Sequence, residues 1–156
     1  MRTVLGSLRR LSVALAVVLA AASGVRAEAA DVPRDTDLVI RKADVGSIVS
    51  FYPYYAGKTY MEVMAVRASD GTVRTALNTC QVCYSSGRGF YKQFGNVVIC
   101  QNCGNRFGID QIELVKGGCN PIPITSDLKT ETRDTITIGK ALLAQGAPYF
   151  RVWKRK

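Results

Sequence analysis

Five cysteines make up the chain's whole stock of thiol metal ligands, and all of them fall between Thr79 and Ile124. Four form two pairs, Cys80-x-x-Cys83 and Cys100-x-x-Cys103, and Cys119 follows in a Gly-Gly-Cys-Asn-Pro turn. Two residues between cysteines is the spacing at which one tight turn aims both sulfurs at one ion. The 16 residues between Cys83 and Cys100 are enough for a hairpin that brings the pairs face to face, an arrangement that builds a tetrahedral sulfur site. Three chemistries fit the four sulfurs. One is iron held by thiolates, alone or in an iron–sulfur cluster. The second is structural zinc in a ribbon of two knuckles. The third is a pair of disulfides. Copper(I) also accepts thiolates, but Met61 and Met64 are remote in sequence and no methionine cluster supports it. An odd fifth thiol remains in each case, so Cys119 is either an exchangeable or supporting ligand or a small buried hydrophobe.

The chain has no histidine. That excludes a Ser-His or Cys-His nucleophile, a His-held metal and a Rieske centre, which needs two histidines on one iron. No base, nucleophile and orienting group occur together in the manner of a hydrolase or transferase. The reading is therefore of a non-enzymatic electron-transfer or metal-binding component.

Length and composition place the elements that must hold these cysteines. With 156 residues, 47% hydrophobic and 21% charged, the chain reads as globular and single-domained. Residues 1–27 read as a signal peptide: Arg2, Arg9 and Arg10 precede an apolar run from Leu11 to Ala22, and Val25-Arg26-Ala27 offers a cleavage site. A run of about twelve residues spans only about 18 Å as a helix, short of a membrane core of roughly 30 Å. Export to the periplasm or the periplasmic face of an inner membrane follows. Residues 28–37 read as a linker and 38–156 as the domain. The leader's four arginines account for part of the net charge of +9, and without them 17 basic residues face 12 acidic ones. Arg151, Lys154, Arg155 and Lys156 end the chain, so the body is nearly neutral. No nucleic-acid surface is expected, and membrane contact, if made, is peripheral.

Strand signals dominate the domain. Asp37–Val45 and Ser47–Tyr52 are strand candidates, the second broken by Pro53, with 54–57 turning. Lys58–Arg67 is the clearest strand, with Met61, Val63 and Ala65 on one face. Asp70-Gly71 marks a hairpin whose second arm, Thr72–Leu77, runs into Cys80. Phe51, Tyr52, Tyr54, Tyr55 and Tyr60 read as half-buried sheet packing. Val97–Ile99 leads into Cys100 after a Gly95-Asn96 turn. Thr135–Ile138 and Tyr149–Trp153 read as strands, and Gly139–Gln145 as one or two helical turns. The expected fold is mainly β: a small antiparallel sandwich or partial barrel with little helix, carrying a cysteine-rich metal-binding lobe of Rieske-like or zinc-ribbon-like loops. Tyr84, Phe90, Tyr91 and Phe107 are expected to screen the site. Gly104 and Gly118 are expected to let backbone approach it.

The run Thr75-Ala76-Leu77-Asn78-Thr79-Cys80-Gln81-Val82-Cys83-Tyr84 is followed by Gly87-Arg88-Gly89-Phe90-Tyr91-Lys92-Gln93. Then come Val98-Ile99-Cys100-Gln101-Asn102-Cys103-Gly104-Asn105-Arg106-Phe107 and Gly117-Gly118-Cys119-Asn120-Pro121-Ile122-Pro123-Ile124. Together they resemble the FtrD-like membrane iron–sulfur family, and the similarity extends back to about Tyr52. The resemblance implies an iron–sulfur cofactor on Cys80, Cys83, Cys100 and Cys103, with Cys119 a fifth candidate. It implies a role in bacterial iron transport beside an iron permease or other inner-membrane components. Many members carry this domain behind several membrane spans, whereas this chain shows only a leader. Leu77 stands where Phe is usual, and Phe94-Gly95-Asn96 replaces a more acidic turn. The alternatives kept open are a zinc-stabilised assembly module of a permease complex and a periplasmic thiol–disulfide protein.

Overall fold

The computed structural model describes residues 31–154. The expected signal peptide and the last two residues of the basic tail lie outside them. Three antiparallel sheets form the domain. The largest has the order β2 (Ser50–Ala56), β3 (Thr59–Arg67), β4 (Val73–Cys80), β8 (Pro121–Pro123). A second contains β1 (Leu38–Arg41), β10 (Thr135–Ile138) and β9 (Thr130–Glu131). The third contains β5 (Tyr91–Phe94), β6 (Val97–Cys100) and β7 (Arg106–Gly108). Among the described residues one short α-helix, α1 (Lys140–Gly146), completes the set. Among the described residues no sheet closes into a barrel, so the mainly β, partly sandwiched architecture expected from the strand signals is the one found.

The central hairpin β3–β4 has core on both faces, and the two-residue period of a strand decides what each face meets. Met61, Val63 and Ala65 with Val73 and Leu77 pack on Leu38, Ile40, Ile136, Ile138 and Leu143. Met64, Val66, Ala76 and Cys80 lie on the opposite face, with Tyr91, Val98, Cys100 and Phe107. Each fully buried aliphatic side chain contributes about 1.5–3 kcal/mol by leaving water. The same alternation that builds the second core therefore delivers Cys80 into it. The hairpin turns where expected: the Asp70 carboxylate accepts from the Thr72 N–H at 2.9 Å and from its hydroxyl at 2.6 Å.

Two local expectations are corrected. Pro53 does not end its strand, because β2 runs through it to Ala56 and the chain turns at Gly57-Lys58. β2 is an edge strand, where a proline's missing N–H costs no ladder bond. Tyr149–Trp153 is not a strand: the chain leaves α1 through a 3₁₀ turn, Ala147–Phe150, with Pro148 in its first turn. Phe150 and Trp153 are both buried and stack edge-on with ring centroids 4.9 Å apart, an i,i+3 spacing that suits a helical turn and not a strand. In the aromatic group, Tyr54 is fully buried, while Phe51 and Tyr60 remain partly exposed on the sheet.

Candidate metal centre

Each cysteine pair begins at a strand end. Cys80 closes β4 and Cys100 closes β6, and both strands point their last residue into the same core. After each, three residues turn back on the first sulfur. The Cys83 N–H donates to Cys80 Sγ at 3.4 Å, and the Val82 N–H also acts on that sulfur. Cys100 receives the N–H groups of Asn102 and Cys103 in the same way. The two knuckles are thus local copies, set by spacing and by the strand that feeds each. They are tied to their surroundings by the backbone: Cys80 N–H donates to the Gly89 carbonyl at 2.7 Å, and Gln101 N–H to the Phe90 carbonyl at 2.9 Å.

Gly104 takes the positive φ that a glycine directly after the second pair permits, while close packing at the site falls to another glycine. Nothing lies within 4 Å of a Cβ built on Gly104 or Gly118; what they supply is a positive φ, 74° and 69°, that lets the chain reverse. Close approach falls to Gly89, where a Cβ would sit 2.4 Å from the Cys83 carbonyl oxygen.

Cys119 arrives from a third direction. β8 pairs Pro121 with Cys80, which returns the loop to the first knuckle. The Cys119 carbonyl accepts from the Tyr91 hydroxyl at 2.7 Å and from Asn105 Nδ2 at 2.9 Å. Further back in the same loop, Glu113 has φ 74°, a conformation that costs a non-glycine residue roughly 1 kcal/mol or more. Its carboxylate is anchored: Oε2 accepts from the Thr75 N–H at 2.9 Å and pairs with Lys129 Nζ at 2.7 Å, the lysine side chain being wholly buried. Sequence reading gave no role to Asn105, Glu113 or Lys129. Their pairings join residues 14 to 38 apart in sequence and leave no periodic trace.

All five thiols converge. Their sulfurs form two trios, Cys80–Cys83–Cys119 and Cys83–Cys100–Cys103, each with its sulfurs within 4.8 Å of one another. Cys83 belongs to both. Every cysteine is free; Cys80, Cys83 and Cys100 are buried, Cys119 is half-buried and Cys103 is exposed. Of the expected screens, Tyr91 and Phe107 are buried in this core. Tyr84 instead stacks on Tyr149 at 5.0 Å and Phe90 on Trp153 at 5.9 Å, on the C-terminal segment.

The thiols ionise unequally. Burial raises the Cys80 thiol, but the Tyr91 hydroxyl and the Cys83 and Val82 N–H groups outweigh it and hold it below its usual value. The Asn105 N–H lowers Cys103. Burial pushes Cys100 up to about 12, and the hydrogen bond to Cys103 followed by burial does the same for Cys119. Burial also raises Cys83. Five sulfurs this close cannot all carry negative charge without a cation among them. The donor set fits a thiolate-held metal: neither trio includes a carboxylate, and N–H groups already face the sulfurs.

Among the described residues, no helix is long and apolar enough to cross a membrane. A comparison with curated proteins finds none that matches the chain. Residues 46–150, well over half of the 156, match the family model described as membrane iron-sulfur containing protein FtrD-like. The match spans both knuckles and the Cys119 loop, and the chain belongs to the FtrD-like family.

Proposed function

We propose that the protein is an exported iron–sulfur module that passes electrons, or handles iron, for uptake at a bacterial inner membrane beside an iron permease. In this reading the thiolates of Cys80, Cys83, Cys100 and Cys103 hold the iron, as a cluster or a single ion, with Cys119 at the same centre. The observation that carries it is the convergence of five free thiols in one core, in a chain of a family described as iron–sulfur containing. Bound iron would supply one-electron exchange. The protein's own part is to hold the sulfurs, to exclude water with Tyr91 and Phe107, and to offset sulfur charge with the N–H groups of both knuckles. The exposed Cys103 is the edge from which an electron would pass to a partner. Residues 38–156 act as one unit behind a cleaved leader.

A zinc-stabilised assembly module is the second reading, favoured by the knuckle turns themselves, since an N–H-capped C-x-x-C pair serves zinc equally well. Anaerobic purification with iron, zinc and sulfide analysis and a visible spectrum separates the two. Iron with thiolate-to-iron bands is the expected result; stoichiometric zinc without such bands overturns the redox role. A thiol count on unreduced, denatured protein tests the thiol–disulfide alternative, and five free thiols would end it.

A further inference from the structure

One tetrahedral ion would draw four sulfurs to about 3.8 Å from one another, for metal–sulfur bonds of about 2.3 Å. The sulfurs here group by threes instead, and Cys83 is shared. The grouping also crosses the knuckles. Cys83 joins Cys100 and Cys103 of the second knuckle, while Cys80 is completed by Cys119 from the loop.

We propose that this pocket takes two soft monovalent cations of the Cu(I) type, one in each trio, with the Cys83 sulfur bridging them. Three-coordination by thiolates suits a closed-shell monovalent ion, which has no demand for a fourth ligand, and soft sulfur donors select Cu(I). A thiolate has lone pairs enough to bind two ions at once. Neither trio contains a carboxylate that would favour a harder cation. Cys119 is a fixed member of its trio, because Tyr91 and Asn105 both hold its carbonyl. As the ions enter, thiol protons pass to solvent and copper stays monovalent, so no oxidant or reductant is consumed. The proposal rests on the convergence of thiols that also underlies the iron–sulfur reading, but it does not require iron.

The test is a titration of the reduced, metal-free full chain with Cu(I) under anaerobic conditions, against a chromogenic Cu(I) chelator. Two equivalents are expected for the wild type. Cys119→Ser and Cys103→Ser should each retain one, and Cys83→Ser should bind both ions at least tenfold more weakly. X-ray absorption should show a copper–copper vector in the wild type that Cys119→Ser lacks. Saturation of the wild type at one equivalent, or two equivalents retained in Cys119→Ser, overturns the proposal. Cys103→Ser, at an exposed position, decides the matter if Cys119→Ser does not fold. Iron and sulfide reconstitution of the same preparations keeps the readings apart. Iron bound with copper stopping at one equivalent sinks only the two-copper site; two copper ions with no iron bound sinks only the iron–sulfur role.

Discussion

The Tyr91 hydroxyl stands 2.7 Å from the Cys119 carbonyl oxygen and also reaches the Cys80 sulfur. One side chain on β5 therefore joins the first knuckle to the loop that carries the fifth thiol. Its orientation is fixed from behind: the Tyr91 N–H donates to buried Asn78 Oδ1 at 2.9 Å, and Asn78 Nδ2 donates to Glu62 at 2.7 Å.

Tyr91→Phe keeps the ring and removes that link. Asn105 still satisfies the Cys119 carbonyl, so the expected loss is modest, about 0.5–1.5 kcal/mol by chemical denaturation. A second readout is specific to the site. Cys80 loses a donor to its thiolate, so its ionisation in the metal-free variant should move to higher pH, followed by thiolate absorbance.

Lys129 and Glu113 form a buried pair that anchors the Cys119 loop to β4. Lys129→Ala leaves a carboxylate in the core with its cation gone, which costs about 3–5 kcal/mol. The double variant Lys129→Met, Glu113→Gln should recover most of that loss, because Gln still offers an oxygen to the Thr75 N–H. Denaturation midpoints of the two proteins check this; equal destabilisation would show that the pair's charge is not what matters.

Gly89→Ala places a methyl group against the Cys83 backbone, which cannot yield as a flexible side chain would. A cost of about 1–3 kcal/mol is expected, with metal affinity falling further than stability because the first knuckle must shift. Gly46→Ala, where a Cβ meets nothing within 4 Å, is the control.

Alkaline stability should fall early. Burial, followed by other contributions, raises the phenols of Tyr52, Tyr54, Tyr60 and Tyr91 above the ordinary 10.0, with Tyr60 pushed up to about 12. The unfolded chain releases these protons near pH 10 while the folded one keeps them. Above that pH the native state binds more protons, so stability declines as pH rises, continuing through about 12 for Tyr60. The raised thiols of Cys83, Cys100 and Cys119 act the same way from their ordinary 9.0, so denaturation midpoints of the metal-free protein should begin to drop near pH 9 and fall more steeply above about pH 10.

Sequence alone determined the donor type and much of the local geometry. Cysteine pairs two residues apart, with no histidine anywhere, point the site to sulfur, and the two-residue spacing sets the turn that aims an N–H back at the first sulfur. The β3–β4 hairpin was equally legible, since alternation and Asp70-Gly71 act within a few residues. Pro53 and Tyr149–Trp153 were not, because whether a proline breaks a strand depends on whether that strand lies at an edge, and a short aromatic run takes its period from the core it covers. Only the tertiary structure decided that Cys119 joins the other four and that Cys83 is common to both trios. Those facts depend on β8 pairing with β4, on Tyr91 and Asn105 holding one carbonyl, and on a buried Lys129–Glu113 pair. Such contacts close long loops, and the spacing of residues along a chain carries no record of them.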